Sequence, residues 1–143
     1  MRLTLHTDYS LRVLLYLATR QEERVKLKEV SSAYGISYHH LVKVVQGLVE
    51  HGYVETIAGR NGGMWLAKDP QQINIGDVVE RMEPDFALVA CMGGEGGCVI
   101  TPVCTLKHAL ADAKRAFLDV LRAYHLNDVA QNRSALLSLL SAS

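Results

Sequence analysis

The chain's three cysteines lie within 14 residues, spaced Cys91-x6-Cys98-x5-Cys104 in the run Cys91-Met-Gly-Gly-Glu-Gly-Gly-Cys98-Val-Ile-Thr-Pro-Val-Cys104. Thiolates this near in sequence can converge on one metal centre, and an odd number cannot close a disulfide framework. Three soft ligands suit zinc or an iron–sulfur cluster, each of which takes a fourth ligand. Gly93, Gly94, Gly96 and Gly97 permit the left-handed turns that wrap a loop around such a centre. The plain alternative is three free thiols, but free cysteines are more often single residues buried in a core element.

A loop of this kind needs elements to hold it. On its C-terminal side, Thr101-Pro102 is a helix-start signal, with Thr as N-cap and Pro at the first helical position. From there Val103, Leu106, Leu110, Ala113, Phe117, Val120 and Tyr124 fall at alternating intervals of 3 and 4, a heptad seam. A long helix over about 102–126 with such a seam is expected to pair with a second copy; packing on its own chain is the alternative. On the N-terminal side, Asn74-Ile-Gly-Asp77 can cap a short helix through Met82, which Glu83-Pro84 ends. The tail over 127–140, rich in leucine, is expected to pack back onto the domain as a C-terminal helix.

The first 68 residues have a different character. Tyr9–Arg20 carries Leu11, Leu14, Leu15 and Ala18 as an apolar stripe, with Asp8 or Thr7 as the expected N-cap. A second helix spans about Lys26 to Tyr34. Gly35 can end it in the left-handed conformation, and Ser37 can cap a third helix, Ser37–His51. That helix turns Leu41, Val44, Val45 and Leu48 inward. Its other face offers Ser37, Tyr38, His39, His40, Lys43 and Gln46. Two helices around a tight glycine turn form a helix-turn-helix. The strands Tyr53–Ile57 and Met64–Ala67 follow, joined through Ala58-Gly-Arg60-Asn61-Gly-Gly63; Asn-Gly between β-prone runs signals a hairpin. A hairpin after a helix-turn-helix is a wing, and Arg60 and Asn61 lie near its tip, where a guanidinium can enter a narrow minor groove.

The expected fold is therefore mainly α with a small β-hairpin: a winged helix-turn-helix over 1–68, and over 69–143 a cysteine loop (about 91–104), a long dimerisation helix and a C-terminal helix. Composition is ordinary globular, 49% hydrophobic and 21% charged. Net charge is zero, yet residues 1–68 carry nine Lys/Arg against six Asp/Glu and residues 69–143 the reverse, which fits a first half that meets an anion. The apolar run Leu11–Ala18 contains Arg12, lacks a cleavage site and is too short to span a bilayer, so neither a secretory signal nor a membrane span is expected. A cytoplasmic location is expected, where thiols stay reduced and clustered cysteines bind metal or sense redox state.

These residues resemble a known family. The opening Met1-Arg-Leu-Thr-Leu-His-Thr-Asp8-Tyr-Ser-Leu-Arg, the Gly59-Arg-Asn-Gly-Gly63 wing, Ile75-Gly-Asp-Val-Val79, the three cysteines and Ile100-Thr-Pro-Val-Cys104 are similar to nitric-oxide-sensing repressors of the NsrR type. These belong to the winged-helix regulators that carry iron–sulfur clusters. The resemblance implies a homodimer with one cluster per chain, 4Fe–4S rather than 2Fe–2S. It implies that Cys91, Cys98 and Cys104 are joined by Asp8 from the partner chain. In the related cluster-assembly regulators a His stands three residues after the last cysteine; here that place is Lys107, and His108 follows it as the alternative ligand.

The expected function is a homodimeric repressor of double-stranded DNA, reading an inverted-repeat operator and released by nitric oxide. One alternative keeps the DNA-binding role but makes the cysteines a thiol switch or a cluster-status sensor. A third reading, from another class, is an iron–sulfur carrier. An enzyme is not expected, because the chain has no Cys-x-x-Cys, nucleotide loop or acid–base constellation.

Overall fold

The computed structural model describes residues 1–94 and 97–142; Glu95 and Gly96 of the glycine loop, and Ser143, lie outside the described residues. Helices α1 (Leu5–Thr19), α2 (Leu27–Tyr34) and α3 (Tyr38–Glu50) precede strands β1 (Val54–Ile57) and β2 (Gly63–Leu66). Then come α4 (Ile75–Met82), α5 (Thr105–Arg122), α6 (Leu126–Val129) and α7 (Arg133–Ser141). The mainly α architecture with one antiparallel hairpin agrees with the sequence.

Helix α1 is the hub, and it differs from the one-sided stripe expected. Thr7, Ser10, Val13, Leu14, Tyr16, Leu17, Ala18 and Thr19 are all buried, while Leu11 and Leu15 are half-buried. A helix wrapped by neighbours on several sides loses the single apolar face of a surface helix. It also begins four residues before Tyr9. The N-cap is Thr4, whose hydroxyl accepts from the Thr7 amide at 3.3 Å. Asp8 and Thr7 therefore lie inside the first turn and neither is the cap. The start is fixed from outside the segment. The Glu83 carboxylate, just past α4, accepts from the Thr4 amide and hydroxyl at 3.1 Å each and from the Thr7 hydroxyl at 2.5 Å. An acid at a helix N-terminus also opposes the helix dipole.

The helix-turn-helix follows the sequence closely. Gly35 takes φ 63° between α2 and α3, and Ser37 stands at the N-cap position of α3 without a side-chain hydrogen bond. Leu41, Val44, Val45 and Leu48 enter the core. In the hairpin Val54 pairs with Leu66 and Ile57 with Gly63. The turn itself is closed by the Gly62 amide donating to Gly59 O at 3.1 Å, so Arg60 and Asn61, not Asn61 and Gly62, are its central residues. A Cβ at Gly62 would sit 2.0 Å from Ile57 O, so only glycine fits there. One element was not foreseen. Val25 exchanges backbone hydrogen bonds with Met64, at 3.1 and 2.8 Å, adding a one-residue third edge to the hairpin.

In the second half, Asn74 caps α4 by accepting from the Asp77 amide, as expected. Thr101-Pro102 opens a single 3-10 turn, Thr101–Val103, rather than the long helix. The α-helix proper starts at Thr105 with Cys104 as N-cap, its sulfur accepting from the Lys107 amide at 3.4 Å. The tail forms two helices, α6 and α7, instead of one. Leu126 reaches the core, and Arg133 Nε donates to Thr19 O at 2.8 Å, satisfying a carbonyl at the end of α1. Ile73, Ile75, Val78, Met82 and Leu126 share one core cluster with the residues of α1 and α3.

α5 crosses α4 at Gly76. A Cβ there would lie 2.4 Å from Arg122 Cγ, 2.8 Å from Arg122 N and 2.9 Å from Leu118 O. Arg122 in turn donates to Asp77 at 3.4 Å and to Glu80 at 2.5 Å. Two of the three nearest atoms are backbone, so the helices must separate to admit a methyl group. Gly76→Ala is expected to cost about 1–3 kcal/mol, the usual range for overpacking. A urea titration should show a lower midpoint at unchanged slope.

Candidate nucleic-acid interface and metal centre

The surface of α3 is divided by its own periodicity. With Leu41, Val44, Val45 and Leu48 buried, Ser37, Tyr38, His39, His40, Lys43 and Gln46 are all exposed. The structure thus leaves all six exposed, Ser37 at the N-cap and the other five on α3 itself. Tyr38 and His39 meet edge to face with ring centroids 6.3 Å apart, and His40 leans toward Tyr9 of α1 at 6.1 Å. Such contacts restrict side chains at the helix end that enters a groove in helix-turn-helix proteins. Arg60 and Asn61 are exposed at the centre of the wing turn.

Two cations beside the wing escaped the sequence reading. Arg24 Nη1 donates to Asn61 O at 3.0 Å, and Lys26 Nζ to Arg60 O at 3.0 Å and Gly59 O at 3.3 Å. The alternation Arg24-Val25-Lys26-Leu27 was the available signal: it has the period of a strand with two cations on one face.

The cysteines are less ordered in their relations. All three are free; Cys91 and Cys104 are half-buried and Cys98 is exposed. Cys91 sits in a 3-10 turn, Ala90–Met92, and Cys104 caps α5. Among the described residues no three His, Cys, Asp or Glu side chains stand close enough to share an ion. The convergence expected from their spacing is thus not present within the single chain. The donors nevertheless fit a soft metal centre in kind. They are three free thiols, Cys91 in a single 3-10 turn and Cys104 at a helix cap, brought near one another in sequence. Buried within the same loop, the Thr101 hydroxyl has no partner among the described residues, which marks a segment whose polar groups are not fully satisfied.

Asp8 lies far along the chain, on α1. Its carboxylate receives Arg12 Nη2 at 2.9 Å and Nε at 3.1 Å, a bidentate i,i+4 pair that stays partly exposed. Arg12 lies 5.8 Å from the centroids of both the Tyr9 and Tyr34 rings. The hydrogen bonds that Arg12 donates to Asp8 hold the guanidinium above its usual pKa, against the opposing effect of burial. Asp8 is therefore an accessible carboxylate with a local cation to return to. His108 is exposed on α5, four residues beyond Cys104 and so near it on the helix surface.

The heptad seam is divided. Phe117 is half-buried under Phe86, their centroids 5.9 Å apart, and Leu110 is half-buried. Val103, Leu106 and Val120 are 81%, 65% and 62% exposed, and Ala113 and Tyr124 are exposed as well. The helix meets its own chain instead through Leu118, Leu121 and Arg122.

A reading helix, a wing and a cysteine loop leading into an uncovered helix define the class of winged-helix transcription regulators. The chain belongs to the Rrf2 family of iron-dependent transcriptional regulators, whose family model matches residues 3–132. It is 50% identical to the HTH-type transcriptional regulator NsrR of Bacillus licheniformis, over 99% of this chain and 100% of that protein. It is 49% identical to the regulator of the same name from Bacillus subtilis, over 98% and 97%. CymR, the global cysteine regulator of B. subtilis, superposes with a TM-score of 0.73 at 25% identity, over 92% of this chain and 97% of that one. IscR of T. potens shares the fold, with a TM-score of 0.74 at 22% identity over 92% and 88%. The chain is accordingly a transcriptional regulator and not an enzyme. Among the described residues no helix is long and apolar enough to cross a membrane.

Proposed function

We propose that the protein is a cytoplasmic homodimeric repressor that binds double-stranded DNA and is released by nitric oxide through an iron–sulfur cluster, 4Fe–4S. Residues 1–68 read DNA; residues 69–143 sense and dimerise. The observation that carries this reading is the position of Cys104. It caps α5, its sulfur accepting from the Lys107 amide, so the last thiol of the loop is also the cap of the helix that carries the exposed stripe.

The exposed face of α3 lies in the major groove, with Tyr38, His39, Lys43 and Gln46 toward bases or phosphates, and Arg60 enters the flanking minor groove. Two heads on a two-fold axis match an inverted repeat with half-sites about 10–10.5 bp apart or a multiple of this. Cys91, Cys98 and Cys104, with Asp8 of the partner subunit, would hold the cluster, and His108 is the substitute for the carboxylate. Such a cluster supplies the iron with which nitric oxide reacts. The protein's own part is the competition for Asp8. Held across the dimer, this carboxylate ties one chain's reading head to the other chain's loop. Released, it returns to Arg12 at the distances seen here, and the heads lose their fixed spacing. A signal shifts such an equilibrium only by its unequal affinity for the two states.

The test is an anaerobic preparation, its absorption spectrum, and an operator gel shift during nitric oxide titration. Release by nitric oxide with loss of the cluster absorption supports the reading. Release by a thiol oxidant alone supports the thiol switch instead.

Asp8→Ala separates the roles of that residue. Because Thr4 is the cap, the substitution removes only an exposed ion pair, worth about 0.2–1 kcal/mol. The melting temperature should therefore change little, while the ratio of holo to apo operator affinity should fall. An unchanged ratio would move the fourth ligand to His108.

A further inference from the structure

The wing turn is held by side-chain hydrogen bonds to its backbone carbonyls. Lys26 Nζ holds the carbonyls of Arg60 and Gly59, and Arg24 Nη1 holds that of Asn61. Both cations project from a segment that is itself fixed, since Val25 between them is 1% exposed and hydrogen-bonded both ways to Met64. The Arg24 guanidinium also lies 5.5 Å over the Trp65 ring, and Trp65 Nε1 donates to Glu55 at 2.9 Å across the hairpin. None of these contacts uses the side chain of Arg60 or Asn61.

A five-residue connection, 58–62, outside the ladder would otherwise sample many conformations and lose that freedom when it meets DNA. Ordering it beforehand lowers the entropic cost of binding. We propose that Arg24 and Lys26 are positioning residues for DNA recognition: by clamping three successive carbonyls they preset the turn so that Arg60 is presented to the groove before DNA arrives. This rests on the reading of Arg60 as a wing contact. Cations this close to the tip have a second possible use, direct contact with a phosphate, and the two uses predict different couplings.

The experiment compares Lys26→Met, Lys26→Arg, Arg60→Ala and the double variant Lys26→Met/Arg60→Ala in the full chain. Operator affinity is measured alongside backbone amide exchange of residues 59–62 in the free protein. Trp65, the chain's single tryptophan, gives a fluorescence signal from within the hairpin itself. Lys26→Met should weaken operator binding about threefold to tenfold, the scale of one or two net hydrogen bonds. It should speed amide exchange at the turn and leave the melting temperature unchanged. Lys26→Arg should retain binding. The double variant should bind no more weakly than Arg60→Ala, because removing the presented side chain leaves nothing to position. Additive losses would show Lys26 meeting phosphate itself and overturn the proposal. So would an affinity unchanged in Lys26→Met while Arg60→Ala is weakened; in both cases the wing reading survives. If Arg60→Ala binds as tightly as the parent, the wing reading falls and takes this one with it.

Discussion

Serine in place of Cys91, Cys98 or Cys104 is expected to reduce iron and sulfide incorporation to background after anaerobic reconstitution, in each of the three variants. Loss of groups that merely orient metal ligands already lowers affinity about 10–100-fold. Loss of a ligand from a set of four should do more, and the remaining thiols would then have to hold iron against water and buffer. The structure makes the experiment clean. Cys98 is exposed, so its substitution removes no packing. Cys104 accepts a helix-capping hydrogen bond from the Lys107 amide, and serine is among the preferred N-cap residues, so α5 should start as before. For Cys98 and Cys104 the folding free energy of the cluster-free protein should thus stay within about 0.5 kcal/mol of the cluster-free parent. A cluster-free melting temperature held constant while iron incorporation is lost assigns the effect to ligation, since a bound cluster would itself raise the parent's melting temperature. Full iron and sulfide in any one variant would remove that cysteine from the ligand set.

Features set by neighbouring residues were legible in the sequence, and those set by distant ones were not. The Gly35 turn, the inward residues of α3 and the cap at Asn74 depend on a few consecutive positions, and each appears where expected. The start of α1 depends on Glu83, 76 residues beyond Thr7, and no local signal could reveal that contact. The edge at Val25 pairs only one residue with Met64, and the four-residue alternation Arg24–Leu27 that marks it runs straight into the start of α2, which hides it. Thr101-Pro102 does open a helical turn, but Ile100, not Thr101, stands at its N-cap and Pro102 is its second residue. That turn is 3-10, however, and the α-helix waits for Cys104 to cap it.

For the candidate site, the sequence located the donors but not their assembly. Spacing brings Cys91, Cys98 and Cys104 into one loop, yet within a chain the described residues do not gather three donors. Under the proposed reading the fourth donor comes from a second subunit, so one chain's contacts leave Asp8 paired with Arg12 instead. The exposure of the candidate DNA-reading residues needed no such partner. Lys43 and Gln46 follow from the helical period, whereas Ser37–His40 are exposed because they form the open N-terminal end of α3.

The largest loss of DNA binding should come from a residue that touches no DNA. Leu106→Glu is expected to convert the dimer to monomer and weaken operator binding at least about 100-fold. In a two-fold interface a single substitution appears twice, facing or nearly facing its own copy. An unpaired buried charge costs about 3–5 kcal/mol, equivalent to roughly 10²–10³-fold or more in association. Within one chain the same change should be nearly silent, because Leu106 is 65% exposed and α5 meets its own chain farther along, at Phe117, Leu118, Leu121 and Arg122. That contrast separates interface from core: at concentrations where both are monomeric, parent and variant should melt alike. Sedimentation reads the oligomer, and a footprint on an inverted repeat reads the consequence, since a lone head protects one half-site without help from the other. Val120→Glu, two heptads along the same seam and 62% exposed, should reproduce the result. If Leu106→Glu remains dimeric and protects both half-sites at the parent's concentration, the exposed stripe of α5 is not the dimer seam. The spacing of the two reading heads must then be set by another surface.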